Sequence, residues 1–387
     1  MFTINFYLLF RLLAKSIFAS HRTHYRLTGK RIKVLILFVV LFLFGMTTTW
    51  FSFLLDYIFF PSFRKQKIKR PIFIIGNFRS GSTLLHRLMA KDKENFRCFK
   101  TWEIYLAPAI AQRKFFKALG LIDRLLGYPL RSLIKNFEDR TFGPIRLHKI
   151  GLFEPEEEEG ILLYIWNSFF IRYLFPVKEE FAPFDFFDRI IPAPRRRRIM
   201  RFYYRCVQRL LFAHGGQGTL LSKNPCFSPK VMSLRETFPD ARFIYLVRDP
   251  IETCMSKLSW FSVCFNFFNS CLEKYPFKHE TIELMKLWYS YPVEFLKTLP
   301  KRRYLIIRYD DFVKDPEKTV KRIYEHFDLR LFPTFRKVLK EDCRKARQYR
   351  SSLEVSYEKI GLSAHEIKKG FAAVRRYYEF DKKLIKH

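Results

Sequence analysis

The sequence contains little that would build a disulfide framework or a metal site. Its 387 residues include seven cysteines, an odd number, with no Cys-x-x-Cys pair and no Cys–His spacing typical of zinc sites. It also contains no Asn-x-Ser/Thr sequon. These absences argue against a small secreted domain held by disulfides. They favour a reducing compartment, and no metal site is predicted.

Acidic residues are scarce relative to basic ones. The chain has 71 Lys and Arg against 37 Asp and Glu, which gives a formal net charge of +34. Residues 1–70 contain 12 of the basic residues and a single acid, Asp56, and the remainder of the chain is also basic. A field of this sign attracts nucleic acid, anionic lipid or phosphorylated small molecules. Charge alone therefore does not choose among these partners.

One long uncharged stretch occupies residues 34–55. At ~1.5 Å of rise per residue, a helix of this length spans roughly the ~30 Å hydrocarbon core of a bilayer. The run is too long and begins too late for a secretory signal peptide. We predict a transmembrane helix at about 34–58, and the alternative is a buried helix of a soluble domain.

A second apolar pattern precedes this stretch. Apolar residues recur there at helical spacing, namely Phe6, Leu9, Phe10, Leu13 and Ile17. The spacing indicates either a helix in the headgroup region or a small packing helix. Residues 1–70 are thus predicted as a membrane-anchoring region and 71–387 as one catalytic domain. Seven Lys and Arg precede the apolar span and five follow it. The positive-inside rule therefore favours neither orientation.

Short apolar runs alternate with helical segments from residue 71 onwards. The predicted strands are 71–75, 219–223, 242–247 and 303–308. Strands that are apolar on both faces and separated by helices are typical of a parallel sheet covered on both sides. The predicted fold class is therefore α/β, a P-loop-like parallel sheet flanked by helices and preceded by the transmembrane helix. Ligands of such sheets bind at the carboxyl ends of the strands.

The first strand leads into the loop GNFRSGST, residues 76–83. Its glycine spacing is that of a P-loop, but Ser82 stands where the phosphate-binding lysine would be, and Thr83 supplies the following hydroxyl. What remains is a glycine turn and a helix N-terminus, which together bind anions. Arg79 adds a guanidinium suited to phosphate or sulfate. The missing lysine argues against hydrolysis of a nucleoside triphosphate.

A second candidate anion site follows the strand at 242–247. Arg248 ends this strand, and Pro250 is suited to the first turn of a helix. Ser256 would then lie about two turns into that helix. Arg248 and Ser256 could together address a second phosphate, or they could be a local ion pair and an ordinary helix residue.

Several ordered motifs together resemble the sulfotransferase superfamily, in particular the branch near the tyrosylprotein sulfotransferases and their bacterial relatives. The resemblance runs from about Pro71 to the C-terminus, and its motifs are IIGNFRSGSTLLHRLMA, EPEEEEGILLY, LLSKNPCFSPKV, FPDARFIYLVRDPIETCMS and IIRYDDFVKDPEKTVKRIYEHFDL. A set of motifs in this order is far more specific than the glycine loop alone.

The resemblance implies a donor, 3′-phosphoadenosine 5′-phosphosulfate, and roles for individual residues. Arg248 and Ser256 match the family's ligands of the 3′-phosphate. Lys223 matches the lysine that neutralises charge on the bridging and transferring oxygens, where fixed positive charge helps most. The 5′-phosphosulfate would be bound by Arg79, Ser80, Gly81, Ser82, Thr83 and Leu84.

A general base is required to accept the proton of the acceptor hydroxyl. Glu103, twenty residues beyond the start of the loop helix, resembles the family's glutamate and is our first candidate. His148 is the rival. The acidic run at 154–159 is interpreted as the first turn of a helix, where carboxylates are favoured by the helix dipole.

The predicted function is sulfuryl transfer to a hydroxyl, less plausibly to an amine. One alternative is a degenerate P-loop kinase or NTPase, which would consume ATP with Mg²⁺. The other is a non-enzymatic basic membrane protein that binds anionic lipid or nucleic acid. No recognisable RNA- or DNA-binding motif is present, so nucleic acid is not an expected partner.

The acceptor and the location are expectations from the same features. A catalytic domain close to a bilayer, in a chain with 45 Phe and 20 Tyr, indicates a small-molecule or lipid acceptor. The cysteines and the missing sequons suit the cytosol, where the donor is made. We therefore expect a single-pass membrane protein whose catalytic domain faces the cytosol. A Golgi protein with a lumenal domain is the alternative.

Overall fold

Five short parallel strands form the centre of the protein in the computed structural model, which describes residues 4–141, 151–269, 275–348 and 362–380. They pair in the order β2-β3-β1-β4-β5. The strands are β1 Ile72–Gly76, β2 Phe96–Arg97, β3 Thr219–Lys223, β4 Arg242–Val247 and β5 Tyr304–Arg308. The predicted parallel sheet and its four strands are confirmed. The unpredicted β2 has two residues, too few to show a periodic pattern.

Helices of very different lengths connect the strands. The α-helices are α1 Phe6–Phe18, α2 Gly29–Phe59, α3 Ser82–Met89, α4 Thr101–Tyr105, α5 Ile110–Leu125, α6 Pro129–Thr141, α7 Ile171–Leu174, α8 Ala182–Asp185, α9 Phe187–Ile190, α10 Ala193–Ala213, α11 Val231–Thr237, α12 Pro250–Asn269, α13 Lys278–Leu296, α14 Tyr309–Lys314, α15 Pro316–His326, α16 Pro333–Gln348, α17 Ala364–Gly370 and α18 Ala372–Tyr377. The short 3₁₀ helices are Pro61–Lys65, Glu158–Ile165, Lys178–Glu180, Pro225–Lys230 and Lys301–Arg303.

Strand β1 shows why the sheet is covered on both faces. All five of its residues are buried, and successive side chains of a strand point to opposite faces. Phe73 and Ile75 pack with residues of α10, α11 and α13 in one core. Ile72 and Ile74 pack with residues of α3, α15 and α16 in a second core. A strand buried on both sides needs apolar residues at every position, which is the pattern seen in the sequence.

The predicted apolar helix is present as α2, which has 31 residues. It starts at Thr28, whose side chain accepts a hydrogen bond from the Arg31 amide. It is the one helix within the described ranges that is long and apolar enough to cross a membrane, a criterion that signal sequences and core helices also meet. Little of its apolar stretch is fully buried, and its residues are mostly half-buried or exposed.

The first helix differs from the predicted stripe. α1 forms over Phe6–Phe18, and it buries Leu8, Leu9, Leu12 and Ser16 against the rest of the protein. Phe6, Phe10 and Ile17 of the predicted stripe are exposed instead. The helix therefore packs on the protein with one face and leaves apolar side chains exposed on another.

Candidate functional site

The loop between β1 and α3 depends on two glycines. Gly76 has a φ of +144°, and a Cβ at this position would lie 2.4 Å from the carbonyl oxygen of Leu246 on the neighbouring strand. Gly81 has a φ of +85°, and its Cβ would lie 2.7 Å from the ring of Tyr309. Side chains cannot be accommodated at either place, because the obstacles are a strand backbone and a packed ring.

The structure brings the loops after β1, β3 and β4 together at the carboxyl ends of the strands. The Ser228 hydroxyl donates to the Gly76 carbonyl at 2.8 Å and accepts from the Gly76 amide at 3.1 Å. Arg79 has a left-handed φ of +66°, and its Nε donates to Ser256 Oγ at 2.9 Å. Arg248 donates from Nη1 to the Arg79 carbonyl at 3.0 Å. The residues predicted for two anion sites are therefore neighbours.

Arg248 has further contacts that keep it in place. Its guanidinium stacks over the ring of Tyr309, 4.0 Å from the centroid, and its Nη2 lies 2.6 Å from the Glu252 carboxylate. The Tyr289 hydroxyl donates to the Arg248 carbonyl at 2.8 Å. An arginine held on several sides presents its charge in a defined direction. Tyr309 and Glu252 lie within motifs seen in the sequence, but their contact with Arg248 is set only by this packing.

The loop contains a buried polar atom that fits an anion. The Ser80 side chain is buried, and in the part of the chain that the structure describes its hydroxyl has no hydrogen-bond partner. A buried donor without a partner costs free energy unless a ligand satisfies it. Ser82 begins α3, so its N-terminal amides also point out of the helix here. A phosphosulfate or phosphate group matches this combination.

Lys223 ends β3, beside the loop strand. Ile74 of β1 and Lys223 of β3 are partners in the parallel register. The Lys223 side chain is fully buried, and its Nζ lies 2.6 Å from Glu157 Oε1 and 3.9 Å from Glu156 Oε1. The lysine that the sequence singled out therefore lies at the carboxyl edge of the sheet, next to two carboxylates.

The acidic run takes a different form from the one predicted. Glu158 and Glu159 begin a 3₁₀ helix, Glu158–Ile165, rather than an α-helix. Glu158 accepts a hydrogen bond from the Tyr203 hydroxyl at 2.7 Å, and burial raises the pKa of Glu158 to about 7. Glu159 pairs with Lys230 at 2.8 Å. Glu157 is therefore the residue of the run whose carboxylate directly contacts Lys223.

Glu103 lies in a structural ion pair. Its carboxylate is 2% exposed and contacts Arg113 at 3.5 Å, His214 at 3.3 Å and the Lys100 amide at 3.0 Å. Burial raises the pKa of Glu103, but the nearby Arg113 and His214 outweigh it, and the net direction is a pKa below the ordinary value. Glu103 also closes a capping box at the start of α4. Among the described residues, no ion pair joins Glu103 to Lys223, and its role as the base stays a prediction. His148, the rival candidate, lies outside the described residues.

Sequence comparison identifies the family. Residues 71–333 match the model of the Sulfotransferase family, more than half of the chain. The chain belongs to the sulfotransferase family. The match begins at Pro71, the residue before β1, and includes the glycine loop, Lys223 and Arg248.

This sulfotransferase is similar to two curated mycobacterial proteins. Omega-hydroxy-beta-dihydromenaquinone-9 sulfotransferase Stf3 of Mycobacterium bovis and that of Mycobacterium tuberculosis are each 25% identical to it over 277 residues. The matched region covers 67% of this chain and 63% of the length of each relative. The chain thus spans less than two thirds of these relatives' length, and the substrate that their names state is that of the relatives.

Solved structures share the fold of this sulfotransferase. Sulfotransferase STF1 from Mycobacterium tuberculosis H37Rv superposes with a TM-score of 0.69 at 21% identity, covering 95% of this chain and 92% of its own. Sulfotransferase STF9 from Mycobacterium avium gives a TM-score of 0.65 at 18% identity, covering 84% and 81%. These structures confirm the predicted fold of the sheet and its flanking helices, and the family match confirms the predicted superfamily.

A buried lysine beneath the loop was not predicted. Lys257 follows Ser256 on α12, and its Nζ lies 4.6 Å from the ring centroid of Phe78 and 4.7 Å from that of Trp288. Burial, aided by the charge of Arg172, lowers the pKa of Lys257 to about 7. A lysine inside a helix shows no such environment in sequence, because burial depends on the neighbouring rings.

Proposed function

We propose that this sulfotransferase transfers the sulfuryl group of 3′-phosphoadenosine 5′-phosphosulfate to a hydroxyl of a lipid-like acceptor. The observation that carries the proposal is the buried Lys223 ammonium at the carboxyl end of β3. It lies beside the anion-binding loop and 2.6 Å from the Glu157 carboxylate. A cation and a base are the two groups that transfer from a phosphosulfate to an alcohol requires.

The donor is held at both ends in this proposal. The phosphosulfate lies on the loop, where it accepts from the backbone and side chains of Arg79, Ser80, Gly81, Ser82, Thr83 and Leu84. The 3′-phosphate lies between Arg248 and Ser256. Contacts that support the arrangement are the Arg79–Ser256 and Arg248–Arg79 hydrogen bonds and the unpartnered Ser80 hydroxyl. Two fixed anion sites leave the sulfur in one orientation, which supplies much of the rate.

The transfer is an in-line displacement at sulfur. The acceptor oxygen forms a new S–O bond while the S–O bond to the bridging phosphate oxygen breaks, and 3′-phosphoadenosine 5′-phosphate leaves. Positioning and charge compensation dominate such reactions, as they do in phosphoryl transfer. Lys223 neutralises the charge that develops on the bridging oxygen, and the proton of the acceptor hydroxyl passes to a carboxylate.

We assign that carboxylate to Glu157 in place of Glu103. Glu157 lies within reach of Lys223, whereas Glu103 is occupied by Arg113 and His214. A base must lie within hydrogen-bonding distance of the proton that it accepts. Since Lys223 marks the place where the sulfuryl group is transferred, the carboxylate beside it is the better placed of the two.

A membrane lipid bearing a hydroxyl is the acceptor class that we propose. The similar Stf3 proteins are named for a hydroxylated menaquinone, which is a lipid alcohol. The apolar surfaces of α1 and α2 would keep this enzyme at a bilayer, where such an acceptor resides. We also retain the proposal that the catalytic domain faces the cytosol, which the buried free cysteines support.

The test is sulfate transfer from radiolabelled donor to components of a membrane extract. We expect Lys223→Met to lower transfer at least 100-fold while the circular dichroism spectrum is unchanged. The matched control is Lys301→Ala, an exposed lysine just before the opposite, amino end of β5. Undiminished transfer by Lys223→Met would overturn the mechanism, and ATP consumption without sulfate transfer would instead support a kinase.

A further inference from the structure

Helix α2 exposes a continuous apolar face. Its exposed side chains include Ile36, Leu37, Val40, Leu41, Leu43, Phe44, Phe51, Leu54 and Ile58, each between 45% and 69% accessible. Exposed apolar patches of this kind mark surfaces that contact a membrane or another protein. The part of the chain after residue 70 has no comparable uncharged stretch.

The opposite face of α2 is attached to the catalytic domain at both ends. Near the start, Arg31 is fully buried and donates to the carbonyl of Leu174 at 3.3 Å. Near the end, Asp56 is fully buried and pairs with Arg209 at 2.7 Å. The Asp56 carboxylate also accepts from the amides of Ile110 and Ala111 at the start of α5. Buried polar contacts of this kind fix position more strictly than apolar packing does.

The middle of the same face is attached as well. The ring of Phe42 packs edge-on to that of Trp166, with centroids 5.0 Å apart, and Phe38 packs on Phe175. Trp50 donates from its indole nitrogen to the carbonyl of Tyr164 at 3.1 Å. α2 therefore lies along the domain for about 25 residues, or roughly 38 Å at 1.5 Å per residue.

This attachment excludes a crossing of the bilayer by α2 as it stands. If the helix crossed, its neighbours over that length would also lie in hydrocarbon, including the loop around residues 164–175. That region contains irregular backbone and the buried Arg172–Asp185 ion pair. Irregular segments and charged groups are tolerated at membrane depth only within a larger embedded protein.

We propose that α2 lies parallel to an anionic bilayer, immersed in one leaflet by its exposed apolar face, and does not cross the membrane. The single-pass arrangement expected from the sequence is replaced by a one-sided attachment of the whole enzyme. Binding of a helix in the interface draws on buried apolar area and on attraction to anionic headgroups.

Neighbouring helices extend the same kind of surface. Phe6, Phe10 and Ile17 of α1 are exposed. Val263 and Phe267 near the end of α12 are exposed, and the adjacent Asn266 carbonyl accepts from Lys30 next to α2. Exposed apolar residues of two further helices, α1 and α12, therefore accompany the start of α2.

Charge at the two ends of α2 identifies the partner as anionic lipid. Arg22, Arg26, Lys30 and Lys33 are exposed around its start, and Arg64, Lys65, Lys67, Lys69 and Arg70 are exposed after its end. The single acid of this region, Asp56, is neutralised by Arg209. Basic groups at both ends would reach the headgroups of the same leaflet if the helix lies flat. Basic residues at both ends give a crossing helix no preferred orientation under the positive-inside rule. A helix that lies flat needs no such bias, because both of its ends are on the same side of the membrane.

The fold comparison supports α2 as part of the folded enzyme. The likeness to STF1 covers 95% of the chain. The remaining 5% of 387 residues is about 19, fewer than the 31 residues of α2. The helix is thus at least partly included in the common fold, as a docked helix would be.

Vesicle flotation of the full-length protein tests the surface. We expect binding to vesicles of equal parts phosphatidylglycerol and phosphatidylcholine, and at least tenfold weaker binding to phosphatidylcholine alone. The double variant Leu37→Glu, Leu41→Glu should lose at least tenfold in binding and keep its thermal unfolding curve, because both side chains are exposed. The control is Val338→Glu on α16, also an exposed apolar residue. Unchanged binding by the double variant would overturn the proposal.

Depth measurement separates a flat helix from a crossing one. Ile36, Leu43 and Leu54 share one side of α2, and a single cysteine at each can carry a fluorophore in a Cys271→Ser background. The other six cysteines are buried. Equal quenching of all three labels by lipids brominated at one depth is expected. Deep quenching at position 43 with shallow quenching at 36 and 54 would show a crossing helix. Contact between labels of two protein molecules without vesicle binding would show a dimer surface, and either result would overturn the proposal.

Discussion

Three adjacent glutamates contact different partners at the candidate site. Glu157 pairs with Lys223, Glu158 accepts from Tyr203, and Glu159 pairs with Lys230. Glu158 and Glu159 are fully buried, while Glu157 retains some access to solvent. A carboxylate that accepts a substrate proton must be reachable by substrate. This difference in access and partner is why the geometry favours Glu157 within the run.

Glutamine substitutions distinguish a catalytic carboxylate from a structural one. Glu157→Gln should lower kcat by about 100-fold or more, since general bases contribute factors of this size, and it should also cost some stability because the buried Lys223 loses its nearest carboxylate. Glu103→Gln should instead lower the free energy of unfolding by about 3 kcal/mol, because it breaks the buried pair with Arg113. Chemical denaturation and steady-state kinetics on both variants provide the measurement.

The exposed Glu294 supplies the control for both substitutions. Its carboxylate is 65% accessible, and its ion pair with Arg189 is long, at 3.7 Å. Exposed pairs of this kind contribute little, so Glu294→Gln should change neither activity nor stability. The assignment of the base to Glu157 would be wrong if Glu103→Gln lost activity at full stability while Glu157→Gln remained active.

Lys257 makes stability depend on pH in a defined direction. The pKa of Lys257 is lowered to about 7 in the folded protein, below the ordinary value of 10.5, so between these values the unfolded chain binds the proton and the folded one does not. Stability should therefore rise with pH over this window, by up to about 1.4 kcal/mol per pH unit. Lys257→Met removes the titrating group and should remove this contribution.

Denaturation of wild type and Lys257→Met at pH 7, 8 and 9 provides the measurement. The free energy of unfolding of the wild type should gain about 2 kcal/mol relative to the variant across this range. The exposed Lys340, changed to Met, should leave the pH dependence as it is in the wild type. Parallel curves for wild type and Lys257→Met would contradict the lowered pKa.

At the scale of elements, α2 is joined to the catalytic domain by one carboxylate at its end. Asp56 lies between Arg209 of α10 and the first amides of α5, so it ties three helices together. The Arg209 guanidinium also stacks on Phe53 of α2, 4.2 Å from the ring centroid. Without the carboxylate, a buried guanidinium and two helix amides lose their partner.

Asp56→Asn should therefore destabilise the docking of α2. We expect a loss of about 3 kcal/mol in the free energy of unfolding, the usual size for a buried pair that loses one charge. Protease cleavage near residues 59–70 should also accelerate. The comparison variant is Glu283→Gln, which breaks the exposed pair with Lys286 and should cost less than about 1 kcal/mol. Equal effects of the two variants would show that α2 does not depend on Asp56.

At the scale of the whole molecule, the sheet and the loop were predictable because their signals are local. Strands β1 and β4 are buried at every position and are mostly apolar, the pattern of a strand covered on both faces. The loop could be recognised because Gly76 and Gly81 occupy positions where a Cβ would meet Leu246 or Tyr309. The superfamily followed from motifs in the right order.

Local sequence patterns could not decide which glutamate accepts the proton of the acceptor hydroxyl. Glu103 and Glu157 both follow helix-start patterns, and their spacing from the loop does not reveal which carboxylate meets Lys223. Arg113, which holds Glu103, lies on α5, and the place of α5 depends in turn on Asp56 of α2. Such chains of contacts are long-range and have no periodic signal.

The sequence by itself determined the α/β class, the sulfotransferase superfamily, the anion-binding loop and the presence of a long apolar helix. Each of these rests on residues that are close together in the chain. Only the tertiary structure decided which glutamate accompanies Lys223 and that α2 is docked along the domain from Arg31 to Asp56. The physical reason is that a hydrophobic run has the same composition whether one face packs on protein or all faces meet lipid. Buried polar contacts distinguish the two, and they form only when distant segments meet.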